Sequence, residues 1–168
     1  MANVKNGRIV LLLHGIRTQA AWGEMVASVI ETRRGMSAIP VKYGFFDTIR
    51  FLVPFYTRTA PVKRFLREYR DIRRHNPNAE ISIIAHSFGT YIVSTALREP
   101  DVKFGRVILC GSIVKDDFRV ADIESKIASL PVLNDCGTRD IWPVLAKSVT
   151  WGYGASGTFG FGTANVLD

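Results

Sequence analysis

Apolar residues recur along this chain with two different periods, and their alternation predicts strands alternating with helices. Arg8 to His14 is a continuous apolar run of β-type residues closed by Gly15, the pattern of a strand buried on both faces. From Ala20 to Arg33 the apolar positions become Trp22, Met25, Val26, Val29 and Ile30, which is helical spacing with Gly35 beyond it as a stop. Ala38 to Tyr43 reads as a second strand, and Pro40 places it at a sheet edge. A second helical stripe follows at Val62, Phe65, Leu66, Tyr69 and Ile72, with Lys63, Arg64, Arg67, Arg70, Arg73 and Arg74 on the remaining faces. Asn76-Pro77-Asn78 supplies turn chemistry after it.

The second half continues the alternation. Glu80 to Ala85 reads as a strand, Phe88 to Leu97 as a helix, Arg106 to Cys110 as a strand and Pro131 to Asn134 as another. This order predicts an α/β domain with a mostly parallel sheet and helices on both faces. Two stretches lack a clean period. Gly44 to Thr59 is rich in aromatic residues (Phe45, Phe46, Phe51, Phe55, Tyr56), and Gly152 to Gly162 holds five glycines and reads as an open, turn-rich tail.

Length narrows the picture to one domain over residues 1–168. A hydrophobic fraction of 47% with 22% charged residues excludes a mainly disordered chain. The net charge of +7 favours anionic partners and leaves the fold undetermined. Nucleic-acid binding finds no motif beyond that charge. Two cysteines, Cys110 and Cys136, make no disulfide framework, and neither they nor the three histidines have metal-ligand spacing. No leader pattern precedes Ile9, and no window is long enough to cross a bilayer, so a cytoplasmic setting is the expectation.

The chemistry concentrates at Ile83-Ile84-Ala85-His86-Ser87-Phe88-Gly89-Thr90. A serine hydroxyl is a poor nucleophile, so a site must expose it, deprotonate it and stabilise the oxyanion that forms. A tight turn from strand to helix exposes it, provided that small residues stand two before and two after. Ala85 and Gly89 stand there. The helix beginning at Phe88 aims its N–H groups and positive dipole end at the same point. The competing reading is that Ser87 only caps that helix.

These residues resemble the nucleophile turn of the α/β-hydrolases, and the resemblance extends along most of the chain. Leu12-Leu13-His14-Gly15-Ile16 is similar to the oxyanion loop of the esterase and lipase branches. The resemblance implies an oxyanion hole from the backbone N–H groups of Ile16 and Phe88, with His14 and Gly15 as loop support. Gly137-Thr138-Arg139-Asp140-Ile141-Trp142-Pro143 is similar to the segment that carries the family's acid, which assigns Asp140 to orient a histidine. Asp116, Asp117 and Asp135 compete with it, and helix capping is the plainer role for Asp140. The implied reaction is hydrolysis of carboxylic esters through an acyl-Ser87 intermediate, without metal or organic cofactor and with a minimal lid.

The base that such a site needs departs from the family pattern. His14, His75 and His86 all precede Asp140, and no histidine follows it. The family order implies a histidine beyond Asp168, in a last strand and loop that this sequence stops short of. The alternatives are an unexpected base or a catalytically inactive α/β-hydrolase-fold binding or scaffold protein. The aromatic segment Phe45–Tyr56 fits an acyl pocket, a membrane contact or simple core cover. The basic helix from Arg64 to Arg74 fits a solvated face or peripheral contact with an anionic membrane.

Overall fold

The computed structural model describes residues 7–15, 21–41, 59–114, 118–135 and 165–167. Six strands form one sheet: β1 (Arg8–Leu13), β2 (Ser37–Pro40), β3 (Glu80–His86), β4 (Val107–Cys110), β5 (Val132–Asp135) and β6 (Val166–Leu167). Their spatial order is β2-β1-β3-β4-β5-β6, and every neighbouring pair is parallel. Helices α1 (Ala21–Arg34), α2 (Thr59–His75) and α3 (Phe88–Ala96) lie between the strands, and two short 3-10 turns, Val120–Asp122 and Glu124–Lys126, precede β5.

The sheet changes direction once, after β2. Right-handed crossovers therefore put α1 on one face and α2 with α3 on the other. Packing agrees: α1 lies against β1 and β2, and α2 lies against α3. β1, between β2 and β3, is buried on both faces from Ile9 to Leu13. In β3 the face toward α2 and α3 is sealed by Ile81, Ile83 and Ala85, while Ser82, Ile84 and His86 on the α1 face are half-buried. α2 contributes Val62, Phe65, Leu66 and Tyr69 to the core. Burying one such side chain stabilises the fold by roughly 1.5–3 kcal/mol.

The α/β class and the alternation of elements agree with the sequence pattern, and the boundaries shift by a residue or two. β2 covers Ser37–Pro40, and Lys42 and Tyr43 of the expected Ala38–Tyr43 lie outside the described residues. It lies at a sheet edge, where a proline without an N–H is tolerated, and Val41 still donates to the Leu12 carbonyl at 2.9 Å. β3 runs one residue further than Ala85, because His86 still pairs with Cys110. A two-residue strand that the periodicity did not predict, β6, adds to the sheet: Val166 and Leu167 pair with Val132 and Leu133. Among the described residues no helix is long and apolar enough to cross a membrane. Gly44–Tyr56, Cys136 and Gly152–Gly162 fall outside the described residues.

Candidate functional site at the carboxyl edge of the sheet

All six strands point their carboxyl ends to one edge, and in open α/β sheets that edge is where ligands bind. There β3 passes into α3 through a single residue, Ser87. Its backbone adopts φ 53° and ψ −122°. Among the described residues only Ser87 and Asn165 combine a side chain with a positive φ. That conformation costs an L-residue about 1–3 kcal/mol and persists only when the surroundings enforce it.

The surroundings do so by hydrogen bonding and by crowding. The Ser87 N–H donates to the Cys110 carbonyl at 3.0 Å, which extends the β3–β4 ladder into the turn. The Ser87 carbonyl accepts from the Thr90 N–H at 2.9 Å and from Thr90 Oγ1 at 2.6 Å. Thr90 is fully buried, and its Oγ1 in turn accepts the Ile113 N–H at 3.1 Å. One hydroxyl thus ties the turn to the segment that leaves β4. Thr90 carried no signal in the sequence beyond being a polar residue one helical turn after Ser87.

Two glycines permit the close approach. A Cβ on Gly15 would stand 2.8 Å from Ser87 Cβ and 3.1 Å from its Oγ. A Cβ on Gly89 would stand 2.6 Å from the Leu13 carbonyl oxygen, so the first turn of α3 packs directly onto the end of β1. Ala85 is fully buried beside Leu13 in the β1–β3 register, where a larger side chain would press on the same junction.

Among the described residues none bonds the Ser87 side chain. It occupies the N-cap position of α3 but makes no capping hydrogen bond, which removes the reading of Ser87 as a mere helix cap. A serine there normally satisfies one of the helix's exposed N–H groups. Without that bond, the positive end of the nine-residue α3 dipole lies beside the hydroxyl.

The histidines are placed as follows. His14 Nδ1 bonds the Gly15 carbonyl at 2.6 Å, within the loop that follows β1. His86 ends β3 on the α1 face, its ring centroid 5.8 Å from that of Trp22. His75 closes α2 at the opposite, amino edge of the sheet, with Nδ1 2.9 Å from the Asp71 carbonyl oxygen. Among the described residues no hydrogen bond reaches the Ser87 hydroxyl. The other nucleophilic side chain at this edge, Cys110, is a half-buried free thiol. Burial, and then the negative charge of Asp135, push its pKa up to about 11, so it stays protonated at neutral pH.

Ser87, Phe88, Ala85, Gly89, His14 and Gly15 are therefore gathered at one place. Ile16 and Asp140 lie outside the described residues, as do Asp116 and Asp117. Asp135 is exposed at the end of β5, two strands away from β3. Among the described residues no group of three or more histidine, cysteine or carboxylate side chains could hold a metal ion.

No family model and no curated protein sequence matches the chain. Solved structures similar to it include a carboxylesterase from Mesorhizobium loti, at 16% identity over 66% of this chain and 57% of that one, with a TM-score of 0.47. A cutinase-like protein from Cryptococcus sp. is similar at 14% identity over 99% of this chain and 78% of that one, also with a TM-score of 0.47. The chain thus spans little more than half the length of the carboxylesterase.

Proposed function

We propose that the chain carries the nucleophile of a serine hydrolase of α/β-hydrolase type acting on carboxylic esters. The observation that carries this reading is the backbone of Ser87, held at φ 53° with its hydroxyl unused by the helix that it begins. A strained turn, crowded between Gly15 and Gly89, has a plain use if it presents an oxygen to a substrate. Ser87 Oγ attacks the ester carbonyl carbon and gives its proton to a base, and the alcohol departs to leave acyl-Ser87. Water then releases the acid and restores the hydroxyl. The Phe88 N–H, at the start of α3, and the Ile16 N–H serve the oxyanion. Asp140, five residues beyond the end of β5, is the acid that orients the base. Cys110, protonated at neutral pH, does not compete as nucleophile.

A small ester or lipid is the substrate class, and the reading needs no metal or organic cofactor. The test is labelling of the purified protein by a fluorophosphonate probe, followed by peptide mapping. Modification at Ser87, absent in Ser87→Ala, is the expected result. A folded protein in its natural full length that takes up no probe overturns the reading.

A second reading, a non-catalytic scaffold with the same fold, is favoured by one observation. Among the described residues, His86 lies against Trp22 and His75 ends α2 at the far edge, both away from the Ser87 hydroxyl. A scaffold gains nothing from the strain at Ser87, and the probe experiment separates the two.

A further inference from the structure

We infer that the outer face of α2 is an electrostatic docking surface for an anionic lipid bilayer, independently of whether Ser87 acts as a nucleophile. α2 is a strongly two-sided helix of 17 residues, about 25 Å long. Its inner stripe is buried in the core. Its outer face exposes Lys63, Arg64, Arg67, Arg70 and Arg74. An open groove of about 930 Å³ runs along the arginines, with Glu68, Asp71 and Asp101 as its acids.

Those acids are placed unevenly. Asp101 bonds Arg70 at 2.6 and 3.0 Å, with Glu99 at 3.5 Å from the same guanidinium. Asp71 pairs with Arg74 at 2.9 Å. Half-buried Glu68 lies between the two halves. The compensating carboxylates therefore sit at the C-terminal half, and no ion pair among the described residues involves Lys63 or Arg67. The charges of Lys63 and Arg67 face outward over the first half of the helix. α2 runs antiparallel to the strands that it connects, so this half lies next to the carboxyl edge that holds Ser87. A surface drawn to Lys63 and Arg67 is brought alongside that edge.

Charge complementarity identifies the partner as polyanionic, and the shape of the face selects a membrane over nucleic acid. Single-stranded nucleic acid is gripped by aromatic platforms beside basic residues. Phe65 is turned into the core, and Tyr69, although it borders the groove, is only 1% exposed and offers no open ring face for a base to stack on. What remains is an open array of long basic side chains, suited to a plane of headgroups, where each basic residue adds to the attraction.

Co-sedimentation of the purified chain with lipid vesicles tests this. The expected result is binding to phosphatidylcholine vesicles containing about a third phosphatidylserine, little binding to pure phosphatidylcholine, and release as salt shortens the Debye length to about 3 Å. Reversing both charges in Lys63→Glu/Arg67→Glu weakens binding at least about tenfold. Reversing an equally exposed pair at the end of α1, Arg33→Glu/Arg34→Glu, weakens it far less. Circular dichroism checks the fold, and Lys63→Gln/Arg67→Gln replaces the reversal if that variant unfolds. Equal binding to neutral vesicles overturns the inference, as does equal weakening by the two reversed pairs. Tighter binding to a single-stranded oligonucleotide than to the anionic vesicles at matched salt overturns it in favour of nucleic acid.

Discussion

The two edges of the sheet are built on opposite principles. At the amino edge, long side chains reach across to satisfy backbone groups and one another. Lys126 Nζ donates to the carbonyls of Leu97 and Glu99 at 2.7 and 2.6 Å, where α3 ends. Arg73 donates to the Ala79 carbonyl at 2.6 Å, just before β3 begins. The Tyr69 hydroxyl donates to the Lys103 carbonyl at 2.7 Å and accepts its N–H at 3.0 Å. At the carboxyl edge, backbones touch through glycines, a serine holds a costly conformation, and its hydroxyl makes no capping bond to the helix it begins. Flexible side chains hold one edge together, and rigid crowding shapes the other. The first arrangement favours stability, and the second favours presenting a group in one fixed position.

The sharpest way to break this comparison is to add the same methyl group at each edge. Gly89→Ala places a Cβ 2.6 Å from the Leu13 carbonyl oxygen, a backbone atom in a buried strand. A loss of about 1–3 kcal/mol is expected in urea denaturation, with loss of probe labelling. Gly105→Ala, at the amino edge, places its Cβ 2.5 Å from Cγ of Glu80, a side chain that can swing away. It should cost well under about 1 kcal/mol. Equal costs would refute the contrast.

The hydroxyl of Thr90 offers a test of similar size. Thr90→Val keeps the shape but leaves the Ile113 N–H buried without its acceptor and removes a donor from the Ser87 carbonyl. A stability loss of about 1–3 kcal/mol and slower labelling are expected, both largely restored in Thr90→Ser. Normal labelling in a destabilised Thr90→Val protein would show that the hydroxyl supports the fold alone.

Ser87→Gly should act in the opposite direction. It releases the positive-φ strain, less the extra chain entropy of glycine, and is expected to stabilise by up to about 1 kcal/mol while abolishing labelling. A destabilised Ser87→Gly protein would mean that the turn is not strained.

The smallest effect belongs to the amino edge. The hydrogen bond from Arg70 holds the Asp101 carboxyl below its usual pKa, against an opposing desolvation effect. A depressed folded-state pKa stabilises above the unfolded value, and that stabilisation fades as pH falls through the folded one. Asp101→Asn should therefore lower the urea midpoint slightly at neutral pH and match the parent protein in strong acid. A difference that persists there would assign the effect to packing.

Much of the fold was legible because buried parallel strands and two-sided helices leave strong periodic patterns. The apolar run at Ile9–Leu13, the stripe through Val62, Phe65 and Tyr69, and Pro40 at an edge all reflect burial, which sequence records directly. β6 was not legible, since two residues after a glycine-rich stretch show no period, and its pairing depends on β5 being already in place. At the site, the order of small residues around Ser87 pointed to the turn. The crowding at Gly15 and the latch at Thr90 did not show, because both depend on segments far apart in the sequence. Asp140 and Ile16 rest on resemblance alone.

The strain at Ser87 also bears on how this chain could change over generations. A left-handed serine costs the protein stability in every copy, and a single substitution to glycine would remove that cost. Drift without selection for the hydroxyl would be expected to find that change early, since stabilising substitutions are easy to reach and are kept when nothing opposes them. Serine at this position in independently diverged lineages would indicate continuing use of its oxygen, and replacement by glycine would mark the lineages that have abandoned it.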